Sequence, residues 1–577
     1  MTALVHDSAQ ACWLCFDKPI EVVQAFDVEE VLPGLRRVEE FANRNNLYAL
    51  GFVSYEAAPA FDSALHVRST ESWFPLLWFG LYEKPEPFRL PSPVSSLQLA
   101  WQPTISREEY NASIERIKEY IAEGDTYQVN YSFRLRAPFR GDARGFFLQL
   151  ANAQPSNNGA FIETDDFAIC SASPELFFSL DGENIVTRPM KGTAPRGLTV
   201  SADKANAEKL QTSEKNRAEN LMIVDMMRND LGRIAEVGSV HVRSLFDVER
   251  YPTVWQMTST VAAKTDASVT EIMKALFPCA SITGAPKART MEIIAELEST
   301  PRKNYTGAIG FIAPNRKAQF NVAIRTVLVN KKKDEAEYGV GGGIVWASTT
   351  EEEYNECLTK ARVLTEVRPK FELFETMLFT QQDGFFLFDE HLARLKSSAE
   401  YFDFPLDEQM LKRMIAQLHN DLPRLKSDFR VRLVVHSDGL PTFAIRGIDS
   451  SDTPVRLRLA KTPIDSNNVF LYHKTTHRKV YDDALASVSD CDDVVLWNER
   501  GEVTESTIAN VVVEIGSELF TPPVECGLLA GVFRSQLLKE GRFKERMITI
   551  DELKRSSHVF LVNSVRMWRE ARLLEQE

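Results

Sequence analysis

The chain of 577 residues has no excess of basic charge. Its 67 Lys and Arg stand against 81 Asp and Glu, a formal charge of −14. With no basic stripe to offset that total, nucleic acid is excluded as a partner. Hydrophobic runs of membrane length are also lacking: the most apolar stretch, "FPLLWFGLY", is far too short to cross a bilayer. The N-terminal "MTALVHDSAQACWLCF" has no basic segment ahead of an apolar run. These absences predict a cytoplasmic protein with no membrane contact. Cysteines are few, seven in all, too scattered for a disulfide framework. Cys12 and Cys15 form a CxxC, but no second pair stands at zinc-site spacing. No repeat of 20 to 50 residues is present.

What remains is a soluble composition, 44% hydrophobic and 26% charged, too long for one core. In "SREEYNASIERIKEYIAEGD", Tyr110, Ile114, Ile117 and Ile121 form a helical stripe that Gly124 ends. The following "TYQVNYSFRLRAPF" alternates as a strand does. "EKPEPFRLPSPVSS" reads as a connection, and "NKKKDEAEY" as a solvated hairpin tip. Pro369 interrupts a helical pattern that begins near Glu351, and a strand-like run starts at Phe371. The predicted division is 1–368, with a core at about 104–366, and 371–577.

Within "TRPMKGTAPRG", Lys191 follows the β-branched run "NIVT", so it is expected at a strand terminus punctuated by Pro189 and Gly192. A lysine beside glycine is ordinarily a solvated turn residue. It becomes a nucleophile only where its surroundings hold it neutral. Two other segments carry acids. Glu219 is expected to share a helical face with Met222 and Asp225, while Glu353 and Glu356 stand three apart on one face. A solvated helix start explains Glu351 to Glu353; it explains Glu356 less well. Carboxylates converging from two helices suit Mg²⁺. The run "YGVGGGIVW" offers amides to an anion, and Arg325 in "NVAIRTVLV" is expected on a strand, aimed to one face for a carboxylate.

"SASPELFF", "TRPMKGTAPRG", "RAENLMIVDMMRNDLGR", "FPCASITGAPKARTMEII", "AIRT", "GGGI" and "EEEYNECLTKA" follow the order seen in chorismate-utilising enzymes: anthranilate synthase large component, aminodeoxychorismate synthase component I, and isochorismate or salicylate synthases. "GFVSYEAAPAFD" resembles their N-terminal part. The resemblance implies two packed β-sheets flanked by helices, an α/β (α+β) fold. By the same likeness Lys191, which stands where anthranilate synthases carry alanine, resembles the residue that attacks the ring, and Glu175 the general acid. Glu219 and Glu356 resemble Mg²⁺ ligands, with Glu353 acting through water. Arg325, Tyr305, Thr193 and the amides of Gly341, Gly342 and Gly343 resemble substrate binders. Gln128 stands where water-adding relatives carry lysine, which favours ammonia. Asn216 departs from an acid usual one turn before Glu219, and Gln256 from a common histidine.

From Phe371 onward, "FELFETMLF", "FLFDEHLARL", "LYHKTTHRKVYDDAL", "EVTESTIANVVV" and "LLAGVFRSQLL" also have plain readings: His391, Arg394 and Leu395 as an amphipathic helix, Lys474 as a surface cation, Glu505 as a turn cap. Their order resembles fold-type IV pyridoxal-phosphate enzymes, among them aminodeoxychorismate lyase and branched-chain and D-amino-acid aminotransferases. That likeness implies pyridoxal 5'-phosphate held by Lys474, with Glu505 at the pyridine nitrogen, Arg394 and the turn at Gly531, Val532 and Phe533 at the phosphate, and Asn510 following Glu505. Leu378 departs from a common arginine. The joined resemblances imply amination of chorismate to 4-amino-4-deoxychorismate, then loss of pyruvate to give 4-aminobenzoate for folate synthesis. They imply ammonia from a separate glutamine amidotransferase and a homodimer through the second segment. Rival readings are an anthranilate-forming first part, an amino-acid aminotransferase as the second, and a non-catalytic docking module as the second.

Overall fold

The computed structural model describes residues 2–69, 71–91, 97–365, 369–422, 428–448 and 453–574. Part of the expected connection over 83–96, and residues 366–368 before the expected boundary, lie outside them. The chain forms two compact units: Met1–Pro195 with Asn206–Arg368, and Arg196–Ala205 with Pro369–Glu577.

The first unit contains, among the described residues, two ten-stranded antiparallel sheets. Their facing sides bury an aromatic-rich layer that includes Phe16, Phe52, Trp78, Phe167 and Phe311. Helices Val28–Asn45, Glu214–Gly232 and Val269–Leu276 cover the outer side of one sheet. Helices Arg107–Ala122, Ala143–Ala153 and Thr350–Ala361 cover the other.

Local chemistry sets the ends of these elements. Ser106 and Glu109 form a capping box at the start of Arg107–Ala122. Tyr110, Ile114 and Ile117 face inward as the stripe predicts, with Tyr120 buried beside them and Ile121 only partly covered. The strand Gln128–Pro138 is buried over most of its length; Glu335–Ile344 pairs along one edge and helices cover its outer side.

Two strand expectations need correction. Lys191 is not at the end of the strand Asn184–Arg188; it is the second residue of a separate strand, Met190–Pro195. That strand pairs with Val254–Lys264 through a register shift between Met190 and Thr193, where Gly192 takes φ +96°. Nor is "NVAIRTVLV" one strand. Lys317–Val322 belongs to one sheet and Thr326–Asn330 to the other, and Arg325 stands at the crossing with φ +49°. A non-glycine residue in that region stores strain, a cost met at sites that need a side chain fixed in one direction.

The second unit contains, among the described residues, a four-stranded and an eight-stranded sheet. Its segment Arg196–Ala205 is fastened within it. Arg196 bonds Asp203 at 2.7 Å and lies 4.3 Å over the Tyr401 ring, and the Tyr401 hydroxyl donates to the Gly197 carbonyl at 2.7 Å. Among the described residues no helix is long and apolar enough to cross a membrane.

Candidate active sites

In the first unit a cavity of about 180 Å³ is lined by Glu175, Lys191, Thr193, Glu219, Tyr305, Arg325, Gly341, Gly343, Glu353 and Glu356. One space thus holds residues from both sheets and two helices. Gly342 does not line it; a Cβ there would point toward Glu353.

The glycine run is explained by space. Its backbone has no positive φ, but a Cβ on Gly343 would lie 2.5 Å from Lys191 Nζ and 2.6 Å from Gln128 Nε2. Gln128 is fully buried, and neither end of its amide has a protein partner, so it presents an unused donor and acceptor beneath the lysine. Thr193 donates to Gln256 at 3.0 Å, and Gln256 donates in turn to the Gly192 carbonyl at 2.8 Å. Gln256 therefore holds the bulged strand that carries Lys191.

Burial lowers the pKa of Lys191; Glu219 opposes this and Lys360 adds to it. Burial raises Glu175 to about 7 against the opposing pull of Ser281 and Lys191. The Ser281 hydroxyl donates to Glu175 Oε1 at 2.6 Å. Burial also lowers the pKa of Arg325, whose guanidinium donates to the Gln154 side chain.

The carboxylates meet only in part. Glu353 accepts from Ser348 at 2.6 Å, and burial raises its pKa. Glu356 pairs with Lys360 at 2.7 Å, which lowers its pKa. Glu219 faces the same cavity beside Lys215 and Asn216, whereas Asp225, expected on its face, is exposed and paired with Arg228. Among the described residues no three His, Cys, Asp or Glu side chains are close enough to hold an ion together. The donors are the oxygens Mg²⁺ prefers, and Glu219, Glu353 and Glu356 all line the one cavity.

Sequence reasoning missed Lys360, which also donates to the Gly341 carbonyl at 2.9 Å. It stands four residues after Glu356, so extending the Glu353/Glu356 face by one turn would have found it. Ser281 gave no such signal, because its partner Glu175 is 106 residues away.

The second unit has a cavity of about 400 Å³ lined by His391, Arg394, Lys474, Glu505, Asn510, Gly531 and Val532, among others. Burial, and next the Arg394 charge, lower Lys474 to about 8. Its ammonium lies 4.9 Å over the Phe374 ring. Burial raises Glu505 to about 7 against the bonds it accepts, which come from Tyr481 at 2.8 Å, the Leu529 amide at 3.1 Å and Asn510 at 3.2 Å. The plain readings of Lys474 as a surface cation and Glu505 as a turn cap therefore do not fit.

Gly531 precedes the helix Val532–Lys539 and packs against the Asn510 side chain with no room for a Cβ. The Phe533 ring does not line the cavity. It belongs to an apolar cluster with Val512, Leu537 and Phe543, so only its backbone amide is left for a phosphate. A lowered lysine, a buried carboxylate and a glycine-led helix start fit the pyridoxal phosphate donor set.

Residues 2–366 match the chorismate binding enzyme family, and residues 372–574 the amino-transferase class IV family. Aminodeoxychorismate synthase component 1 of Salmonella typhimurium is 44% identical over 276 residues, 48% of this chain and 59% of that protein. Anthranilate synthase component 1 1 of Haloarcula marismortui is 40% identical over 274 residues, 47% of this chain and 56% of that protein. The chain thus spans less than two thirds of these relatives' lengths. The crystal structure of anthranilate synthase component I from Streptococcus pneumoniae aligns with a TM-score of 0.52 at 26% identity, over 63% of this chain and 90% of that one. The chain belongs to the chorismate binding enzyme family and carries a class IV aminotransferase domain behind it.

Proposed function

We propose that the first unit aminates chorismate to 4-amino-4-deoxychorismate and that the second removes pyruvate from it, giving 4-aminobenzoate for folate synthesis. One observation supports the first step above others: a lysine whose pKa burial lowers shares a cavity with a carboxyl whose pKa burial raises. Neutral Lys191 forms a bond to the chorismate ring while the ring hydroxyl leaves as water with the proton of Glu175. Ammonia, from a separate amidotransferase, then displaces the lysine nitrogen. Gln128 places no cation beneath Lys191, which suits a nitrogen nucleophile.

Arg325, Tyr305 and the Gly341 and Gly343 amides bind the substrate carboxylates. Glu219 and Glu356, with Glu353 behind water, hold Mg²⁺, which offsets the substrate's negative charge.

In the second unit pyridoxal phosphate supplies an electron sink when bound. Glu505 keeps a proton at the pyridine nitrogen, Lys474 carries the cofactor and moves protons, and Arg394 with the Gly531 turn holds the phosphate. The test is product identity from chorismate and ammonium with and without pyridoxal phosphate. 4-Aminobenzoate only with the cofactor, and aminodeoxychorismate without it, is the expected result. Anthranilate would overturn the first half. Exchange that depends on a 2-oxoacid would overturn the second.

A further inference from the structure

Glu375 and His391 form a device that the preceding reading does not use. Glu375, on the strand Leu373–Thr380, is 1% exposed. It accepts from Arg394 Nε at 2.8 Å, from Arg394 Nη2 at 2.6 Å and from His391 Nδ1 at 2.8 Å. Burial would raise its pKa, but Arg394 and then His391 more than reverse this and hold it at about 2. A carboxylate so held only accepts, so the His391 proton sits on Nδ1.

The other ring nitrogen is then fixed in direction. His391 is itself 1% exposed, and its Nε2 is buried with no partner. The residue lines the second cavity together with Arg394, Lys474, Gly531 and Val532. His391 and Arg394 stand three apart on the helix Phe388–Phe402, so one helical face carries both. Arg394 Nη1 donates to the Ala530 carbonyl at 3.1 Å, just before the Gly531 turn. An unpartnered buried nitrogen beside these donors needs a ligand to complete it.

We propose that His391 Nε2 is a direct ligand of the phosphate of pyridoxal phosphate, with Glu375 as a shared brace that aims both His391 and Arg394 at it. The inference rests on the reading that the second cavity takes this cofactor. Nε2 is held toward the cavity as the group that makes the hydrogen bond with the nearest phosphate oxygen.

The experiment compares equilibrium binding of pyridoxal phosphate with that of pyridoxal, which lacks the phosphate, to the full-length apoprotein. His391→Asn keeps a donor to Glu375 and loses the nitrogen at the Nε2 position; His391→Gln does the reverse. The expected result for His391→Asn is a Kd for pyridoxal phosphate at least tenfold higher, with the Kd for pyridoxal changed less than threefold. His391→Gln should recover part of that ratio. An unchanged ratio in His391→Asn, or equal weakening of both compounds, makes His391 a structural residue and overturns the proposal. If the parent protein bound neither compound, the cofactor reading itself would fail and the inference with it; that outcome is distinct because it appears before any substitution.

Discussion

Lys191 Nζ and Gln128 Nε2 flank the space in front of Gly343, each within 2.6 Å of where a Cβ would stand. Both are the free ends of side chains able to move aside, so a methyl group there displaces the proposed nucleophile more than it strains the backbone. Gly343→Ala is therefore expected to lower chorismate amination about a hundredfold or more while shifting Tm by no more than about 2 °C. Activity retained near the parent's would show that the lysine need not occupy this position.

Glu175 and Lys191 also set a pH profile. The raised pKa of Glu175, about 7, means that its proton is lost as pH rises through that value. The lowered pKa of Lys191 means that its neutral form is gained as pH rises. Amination kcat should therefore fall on the alkaline side with an apparent pKa near that of Glu175. Glu175→Gln should lower it by roughly 10² to 10⁴ and abolish that limb.

Lys191→Ala should end aminodeoxychorismate formation and leave Mg²⁺-dependent chorismate binding largely intact, measured by calorimetry beside turnover with ammonium. Glu219→Gln and Glu356→Gln should each weaken the Mg²⁺ response, because each deletes a ligand charge. A magnesium titration identical to the parent's in both variants would remove the metal assignment.

Lys474→Ala should lose the visible absorbance of the cofactor-loaded protein, still consume chorismate and ammonia, and accumulate aminodeoxychorismate. Mixed with Lys191→Ala it should restore 4-aminobenzoate. A lag before restoration marks free diffusion of the intermediate; its absence marks transfer within mixed oligomers. 4-Aminobenzoate at the parent's rate from Lys474→Ala alone would refute the second activity.

Glu375 gives a stability prediction. Its pKa is lowered in the folded state from the ordinary 4.5 to about 2. The stabilisation it confers is therefore complete above the unfolded value and is lost as pH falls from 4.5 through 2. Urea unfolding of the second unit followed across that range should show stability falling in the parent. Glu375→Gln should be less stable at neutral pH, where Arg394 loses its partner, and flatter in acid.

Much of this was legible in the sequence because it is local. The helix Arg107–Ala122 announces itself by period and cap, and Glu353 and Glu356 share a face through their spacing alone. Lys191 and Arg325 were misplaced in their strands because register shifts and sheet crossings depend on neighbours distant in the chain. The glycines at 341 and 343 looked like an anion cradle by composition, yet what requires glycine at 343 is the approach of two side chains from elsewhere. His391 read as one residue of an amphipathic helix, since the unpartnered nitrogen that distinguishes it has no trace in sequence.

The segment Arg196–Ala205 belongs to the second unit although chain order sets it inside the first. No single cut in the gene therefore yields either unit whole. A fragment ending at Arg368 would carry Gly197 without the hydroxyl of Tyr401, and a fragment beginning at Pro369 would carry Tyr401 without Arg196. Recombination at that joint would part Arg196 and Gly197 from Tyr401, so the second unit is inherited whole only when both of its segments pass on together.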